Sequence, residues 1–201
     1  MGWCVAAHAG CGYHAERQEP QYRATLRRAN DAAAAILAND GSALSAVAAA
    51  IAALEDDEIT NAGLGSNLTE DGRVECDASV MVGSGPKAFP GALPGASTWA
   101  AVAAAPGLRN PVRAAAHLLQ RANSPEGPSL GRVAPIALAG DAAWRWCARE
   151  GLAVADVEVP LPAEFQVSAE VPRTQLPASR CDSARLHQHA QLRPQPCGAA
   201  C

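Results

Sequence analysis

The chain has 201 residues, 49% of them hydrophobic, with a formal net charge of -4 and aromatics at only 4%, a length that allows one sizeable core or a core and a tail. There is no basic excess to neutralise phosphates and no aromatic platform for stacking, so nucleic acid is not an expected partner. No apolar run reaches membrane-spanning length and no charged-then-apolar leader opens the chain, so no membrane is expected either.

Trp3 to Ala7 is a short apolar run that predicts a buried strand. It ends in His8-Ala-Gly-Cys-Gly-Tyr-His14, where Gly10 and Gly12 let the backbone turn. A histidine at the end of a buried strand reads first as a structural, hydrogen-bonded one. Tyr22 to Leu37 predicts a helix with Leu26, Ala29, Ala33, Ile36 and Leu37 on one face. Asn39-Asp-Gly41 ends it, and Ser42 caps a second helix running through Leu54. The alanines of that helix permit close packing, so the two helices are expected side by side and antiparallel.

Glu55-Asp-Asp-Glu58 follows at the helix end, where the macrodipole disfavours negative charge. The first reading is a solvated acidic turn; the functional alternative is a loop that holds a cation by backbone carbonyls. Next come Asn61-Ala-Gly-Leu-Gly-Ser-Asn67 and the alternating stretch Val74-Glu-Cys-Asp-Ala-Ser-Val-Met81. The alternation predicts a strand with one polar face. The glycine stretch before it reads either as a glycine-rich hairpin or as an active-site loop feeding the strand.

Residues 86–97 read as a loop, and Thr98 to Ala105 as a strand stopped by Pro106-Gly107. Asn110-Pro-Val opens a helix with Val112, Ala115, Ala116, Leu118 and Leu119 inward. Ala134 to Ala139 predicts a short strand, Asp141 the cap of a helix carrying Trp144 and Cys147, and Gly151 its end. From Val157 onward prolines recur without an apolar period, and a disordered tail is expected. The tail holds Cys181, His187, His189, Cys197 and Cys201, but neither Cys-x-x-Cys nor zinc-finger spacing, which argues against zinc. Seven cysteines in all, an odd number without framework spacing, are expected as reduced thiols in the cytoplasm or nucleus.

Four motifs in order, His8 to His14, Asn61 to Asn67, Glu75-Cys-Asp-Ala-Ser79 and Gly107-Leu-Arg-Asn-Pro-Val112, resemble the type-2 asparaginase and isoaspartyl-peptidase family of N-terminal nucleophile hydrolases. Tyr13-His14, Glu75-Cys76 and Ala143-Trp-Arg-Trp146 look closer to its threonine-aspartase (taspase) branch. The resemblance covers residues 3 to 155 and leaves the tail unmatched. It implies an α+β chain, part of an αββα sandwich, divided into an α-subunit-like domain at 1–156 and a linker at 157–201.

In that family a precursor cuts itself before a threonine, whose freed amine then serves as base for its own hydroxyl; the branch resembled cuts proteins after aspartate. The resemblance places His8, Gly10, Gly12, Asn61 and Gly63 beside the nucleophile and the oxyanion. It likens Glu55 to Gly63 to a stabilisation loop that holds sodium by main-chain carbonyls, and no other cofactor is implied. Implied partners are protein substrates and a β-like subunit or a second copy.

None of Thr25, Thr60, Thr69, Thr98 and Thr174 has the preceding Asp or Gly and following glycine of the nucleophile strand. No catalytic residue is therefore assigned in this chain. The expectation is a hydrolase lineage inactive by itself, marginally stable without its missing half; the alternative is a non-enzymatic fragment that binds a full-length or β-like chain.

Overall fold

In the computed structural model, residues 2–10, 12, 14–83, 97–125 and 132–152 are described. All of them fall within Met1–Val159. The expected tail, its cysteines and histidines, and most of the 86–97 loop therefore lie outside the described residues.

The class is α+β. Helix α1 (Glu19–Ala38) follows a single 3-10 turn and carries proline in its first turn, where the missing N–H would have found no helical partner anyway. Helix α2 (Ala43–Glu55) begins where expected: the Ser42 side chain accepts the Ser45 N–H, satisfying one of the orphan donors of a helix start. The two helices meet through Ala29, Ala33, Ala46, Ala50 and Leu54. Small side chains let the backbones approach, but each alanine buries little area, and stabilisation scales with area.

Strands β1 (Glu75–Met81) and β2 (Trp99–Pro106) pair antiparallel, and β3 (Ala137–Ala139) joins β2 in parallel. Helices α3 (Pro111–Ala122) and α4 (Gly140–Arg149) pack on the sheet. Alternation in β1 sends Cys76 and Val80 inward and leaves Glu75, Asp77, Ser79 and Met81 exposed, as the period-two pattern predicts. Leu118, Leu119 and Val112 of α3 close the main cluster against Val80, Ala100 and Leu44, and every inward position expected in that helix is buried. A second cluster joins Val102, Ala105 and Leu108 to Ala143 and Cys147.

Three expectations change. Residues 3 to 7 form no paired strand: Val5 and Ala7 pack against the α1–α2 cluster, but Trp3 is 51% exposed. No neighbouring backbone completes a ladder there among the described residues, and an apolar run alone does not specify one. Asp141 lies inside the first turn of α4 instead of capping it; the cap position is Ala139, with no side-chain bond. The Glu55–Glu58 run is not wholly solvated, because Glu55 is buried.

The register of β1 against β2 slips once. Cys76 faces Ala105 and Ala78 faces Val102, so Asp77 opposes both Ala103 and Ala104 in a β-bulge. Ala104 takes φ +44°, and the Asp77 carboxylate accepts its N–H at 2.7 Å. A left-handed conformation costs an L-residue about 1–2 kcal/mol. Ala104→Gly is accordingly expected to raise stability by up to about 1 kcal/mol by relieving that strain, less the greater entropy glycine loses on folding. Chemical denaturation of the two proteins measures the difference.

Candidate functional site

The first loop closes the N-terminal segment. Gly10 has φ +123°, a conformation L side chains rarely adopt. His8 is exposed and has no hydrogen-bond partner among the described residues, so the structural role expected of it is not what the structure shows. The side chain that engages this loop is instead His14. Its Nε2 lies 3.7 Å from where a Cβ would stand at Gly10, and 3.7 Å from the same point at Gly12. On the other side of the ring, Nδ1 meets the Tyr22 hydroxyl at 3.0 Å, and the two rings stand 4.7 Å apart. Tyr22 sits in the first turn of α1, so the helix start holds the imidazole under the loop.

The second loop is built from α2's end. Asp57 accepts bonds from the Thr25 hydroxyl, the Ile59 N–H and Arg28, tying this segment to α1. Burial works to raise the Asp57 carboxyl, but Thr25, Ile59 and Arg28 outweigh it and hold it below its ordinary value. Thr60 is buried, its hydroxyl donating to the Leu54 carbonyl at 2.6 Å. The loop then turns through Gly63–Gly65, and the Asn61 side-chain oxygen accepts the Asn67 N–H at 2.8 Å, closing it like a staple. Asn61 Nδ2 stays exposed, with no partner among the described residues. The Ser66 hydroxyl and the Cys76 thiol meet at 3.2 Å, which fastens the loop to β1.

Both glycines of this loop are sterically required. A Cβ at Gly63 would stand 2.3 Å from the Glu55 carbonyl oxygen. One at Gly65 would stand 2.1 Å from that of Thr60 and 2.6 Å from that of Glu58. The Glu55 carbonyl thus crowds Gly63, those of Glu58 and Thr60 crowd Gly65, and none of the three accepts a hydrogen bond among the described residues. Main-chain carbonyl oxygens left without hydrogen-bond partners are the type of ligand a hard cation such as sodium takes. Among the described residues no cluster of three or more His, Cys, Asp or Glu side chains could hold a metal.

Beneath the loop, Glu55 is only 2% exposed. Its Oε1 accepts the Val112 N–H at 3.0 Å, capping α3 across a long sequence separation, while Oε2 is buried without a partner among the described residues. Burial pushes its carboxyl up to about 7; Val112 and Asn110 pull the other way, and neighbouring Asp56 adds to the rise. Asp56 in turn pairs with Arg109 and Asn110, so the Gly107–Val112 motif is clamped onto the end of α2. Sequence reasoning missed Glu55 and the His14–Tyr22 pair. Four acids in a row carry no mark of which one turns inward, and Tyr22 lies eight positions from His14 with no periodic signal.

The structure thus gives each glycine loop its own support, but among the described residues no hydrogen bond joins His8–Gly12 to Asn61–Asn67. A family profile described as Asparaginase matches residues 1–125, which include both loops, α1, α2, β1, β2 and α3. The chain belongs to the asparaginase family.

Its similarity to individual members of the asparaginase family is strong but short. It is 43% identical over 79 residues to the isoaspartyl peptidase/L-asparaginase of Xenopus laevis, covering 39% of this chain and 26% of that protein. Over 101 residues it is 40% identical to a probable isoaspartyl peptidase/L-asparaginase 2 of Arabidopsis thaliana, covering 48% and 30%. A plant-type L-asparaginase of Thermococcus kodakarensis matches at 44% over 81 residues, 40% of this chain and 23% of that protein. The chain therefore spans roughly a quarter to a third of the length of these asparaginase-family proteins.

Proposed function

We propose that this chain is the α-subunit-like part of a threonine-type hydrolase that acts on aspartyl bonds, with its nucleophile supplied by a β-like subunit. The observation that carries the reading is the family match over both glycine loops. It is reinforced by the chemistry left exposed there: the Gly10–Gly12 turn and the unpartnered Asn61 amide can offer N–H groups to an oxyanion or to an incoming threonine. The threonine's own amine would remove its hydroxyl proton before attack on the acyl carbon. The Glu55, Glu58 and Thr60 carbonyls would hold a sodium ion, which would supply a fixed charge that stiffens the loop carrying Asn61.

Within the family, the relatives matched are isoaspartyl peptidases and L-asparaginases. Tyr13-His14, Glu75-Cys76 and Ala143 to Trp146 favour the threonine-aspartase branch, and with it an endopeptidase that cuts proteins after aspartate. Protein substrates, and a β-like chain or second copy as partner, belong to the same proposal. The alternative is a binding fragment without catalysis; it is favoured by the state of the threonines, since the Thr25 and Thr60 hydroxyls are buried and already bonded.

Residues 1–201 alone are expected to show neither self-cleavage nor turnover of L-asparagine, a β-aspartyl dipeptide or an aspartate-containing protein. Loss of a triad-type nucleophile leaves roughly 10³–10⁴-fold over water in serine enzymes. Mass spectrometry and ammonia release are the measurements; a new N-terminal threonine would place the nucleophile in this chain and overturn the two-subunit reading. Activity appearing only on addition of a family β-subunit separates the hydrolase from the binding fragment.

A further inference from the structure

His14 is not among the residues the family resemblance assigns, yet it is held by a neighbouring side chain where His8 is not. The Tyr22 hydroxyl holds Nδ1 at 3.0 Å, while Nε2 lies between Gly10 and Gly12 and has no hydrogen-bond partner among the described residues. Of the two groups in contact, the phenol is the better donor. With its O–H directed at the Nδ1 lone pair, a neutral ring carries its hydrogen on Nε2. The glycine loop then has, beside its backbone N–H groups, one oriented imidazole donor aimed into the space that side chains at positions 10 and 12 would have filled.

We infer that His14 Nε2–H is a ligand contact of this site, donating to a carboxyl or carboxamide oxygen of an aspartyl or asparaginyl group, with Tyr22 as the residue that fixes its tautomer. The inference rests on the hydrolase reading above, because that reading places such a group at the Gly10–Gly12 turn. Donors held on a ring by a second hydrogen bond lose little freedom on binding, which is how an outer partner sharpens an inner contact. Glycine at positions 10 and 12 keeps the approach to Nε2 open.

The test uses uniformly ¹⁵N-labelled residues 1–201 with L-aspartate as the probe. L-Aspartate is expected to shift the His14 Nε2 resonance together with the Gly10 and Gly12 amides. His14→Phe, which keeps an aromatic ring without the donor, is expected to weaken L-aspartate binding about tenfold, the worth of one hydrogen bond to a charged group. Tyr22→Phe leaves the imidazole in place, so it should give a smaller loss and a ¹⁵N spectrum showing both tautomers. If L-aspartate moves the glycine and Asn61 amides with the same affinity in His14→Phe, the His14 contact is overturned while the hydrolase reading stands. If it moves no resonance of the folded chain, the His14 contact is overturned, while the hydrolase reading stands or falls on activity with an added β-subunit. A His14→Phe protein that loses its fold is replaced by His14→Gln, whose amide can restore a donor; recovery of affinity there supports the contact, and its absence in a folded protein opposes it.

Discussion

Gly65→Ala is expected to cost about 3 kcal/mol or more, among the largest losses a single methyl can cause in a protein of this size. The added carbon would stand 2.1 Å from the Thr60 carbonyl oxygen and 2.6 Å from that of Glu58, and both are backbone atoms that no rotamer change can move aside. Relief therefore requires the whole 58–66 segment to shift. Gly63→Ala should be comparable: its carbon would meet the Glu55 carbonyl at 2.3 Å, and its φ of +56° adds left-handed strain. Against a total stability of about 5–15 kcal/mol, either loss is a large share. Thermal unfolding should show a fall of roughly 6–12 °C, at about 2–4 °C per kcal/mol for domains of 150–250 residues. Gly83→Ala, where a Cβ meets nothing within 4 Å among the described residues, is the control and should leave the midpoint unchanged. A Gly65→Ala protein that melts with the wild type would mean the Thr60 and Glu58 carbonyls do not crowd this position.

The second large effect is a pH dependence set by Glu55. Its carboxyl is pushed from an ordinary 4.5 to about 7, chiefly by burial. A folded-state value above the unfolded one means that the native protein binds the proton more tightly. The contribution is fully present below about 4.5 and is lost as the pH rises to about 7, a gap corresponding to about 3 kcal/mol. Stability is therefore expected to decline between pH 5 and pH 7.5. Asp57, held below its ordinary value, works in the opposite sense and lower down, its contribution being lost only as the pH falls below the usual carboxylate range. Glu55→Gln keeps an oxygen for the Val112 N–H and removes the ionisation. It should flatten the profile, matching the wild type near pH 5 and exceeding it near pH 8. Urea midpoints across that range are the measurement; a profile for Glu55→Gln parallel to the wild type would remove Glu55 as its source.

Much of the secondary structure was legible because it rests on local signals. Ser42 capped α2 as a serine before an alanine-rich run should, and β1 turned the expected residues inward. Helix α3 buried each position its spacing pointed to. Signals that depend on neighbours distant in sequence were not legible. Trp3 to Ala7 has the composition of a strand, but a strand is made by the backbone beside it, which composition does not report. Glu55 looks like its three acidic neighbours until the N-terminus of α3 arrives to receive it. At the candidate site the glycines could be read because steric demand limits which residue fits, and the Asn61–Asn67 staple follows from short polar residues around a turn. The imidazole under Gly10 could not be read, since its place depends on where α1 begins.

The split of the interior into separate clusters bears on how the chain acquires its shape. Helices α1 and α2 are joined by four residues, 39–42, and their shared interior is mostly alanine. Closing so short a loop is fast and costs little entropy, whereas the parallel pairing of β2 with β3 must wait for the intervening helix and its crossover. The helical pair can thus form early yet is weakly held, because its larger side chains Leu26, Ile36, Leu37 and Ile51 are only partly buried; the sheet and α3, with Leu118 and Leu119 at their centre, form later and hold longer. Amide protons of α1 should consequently exchange with solvent through partial opening, while those of β2 and α3 wait for global unfolding. The most quickly assembled part of the molecule is then also the first to be surrendered.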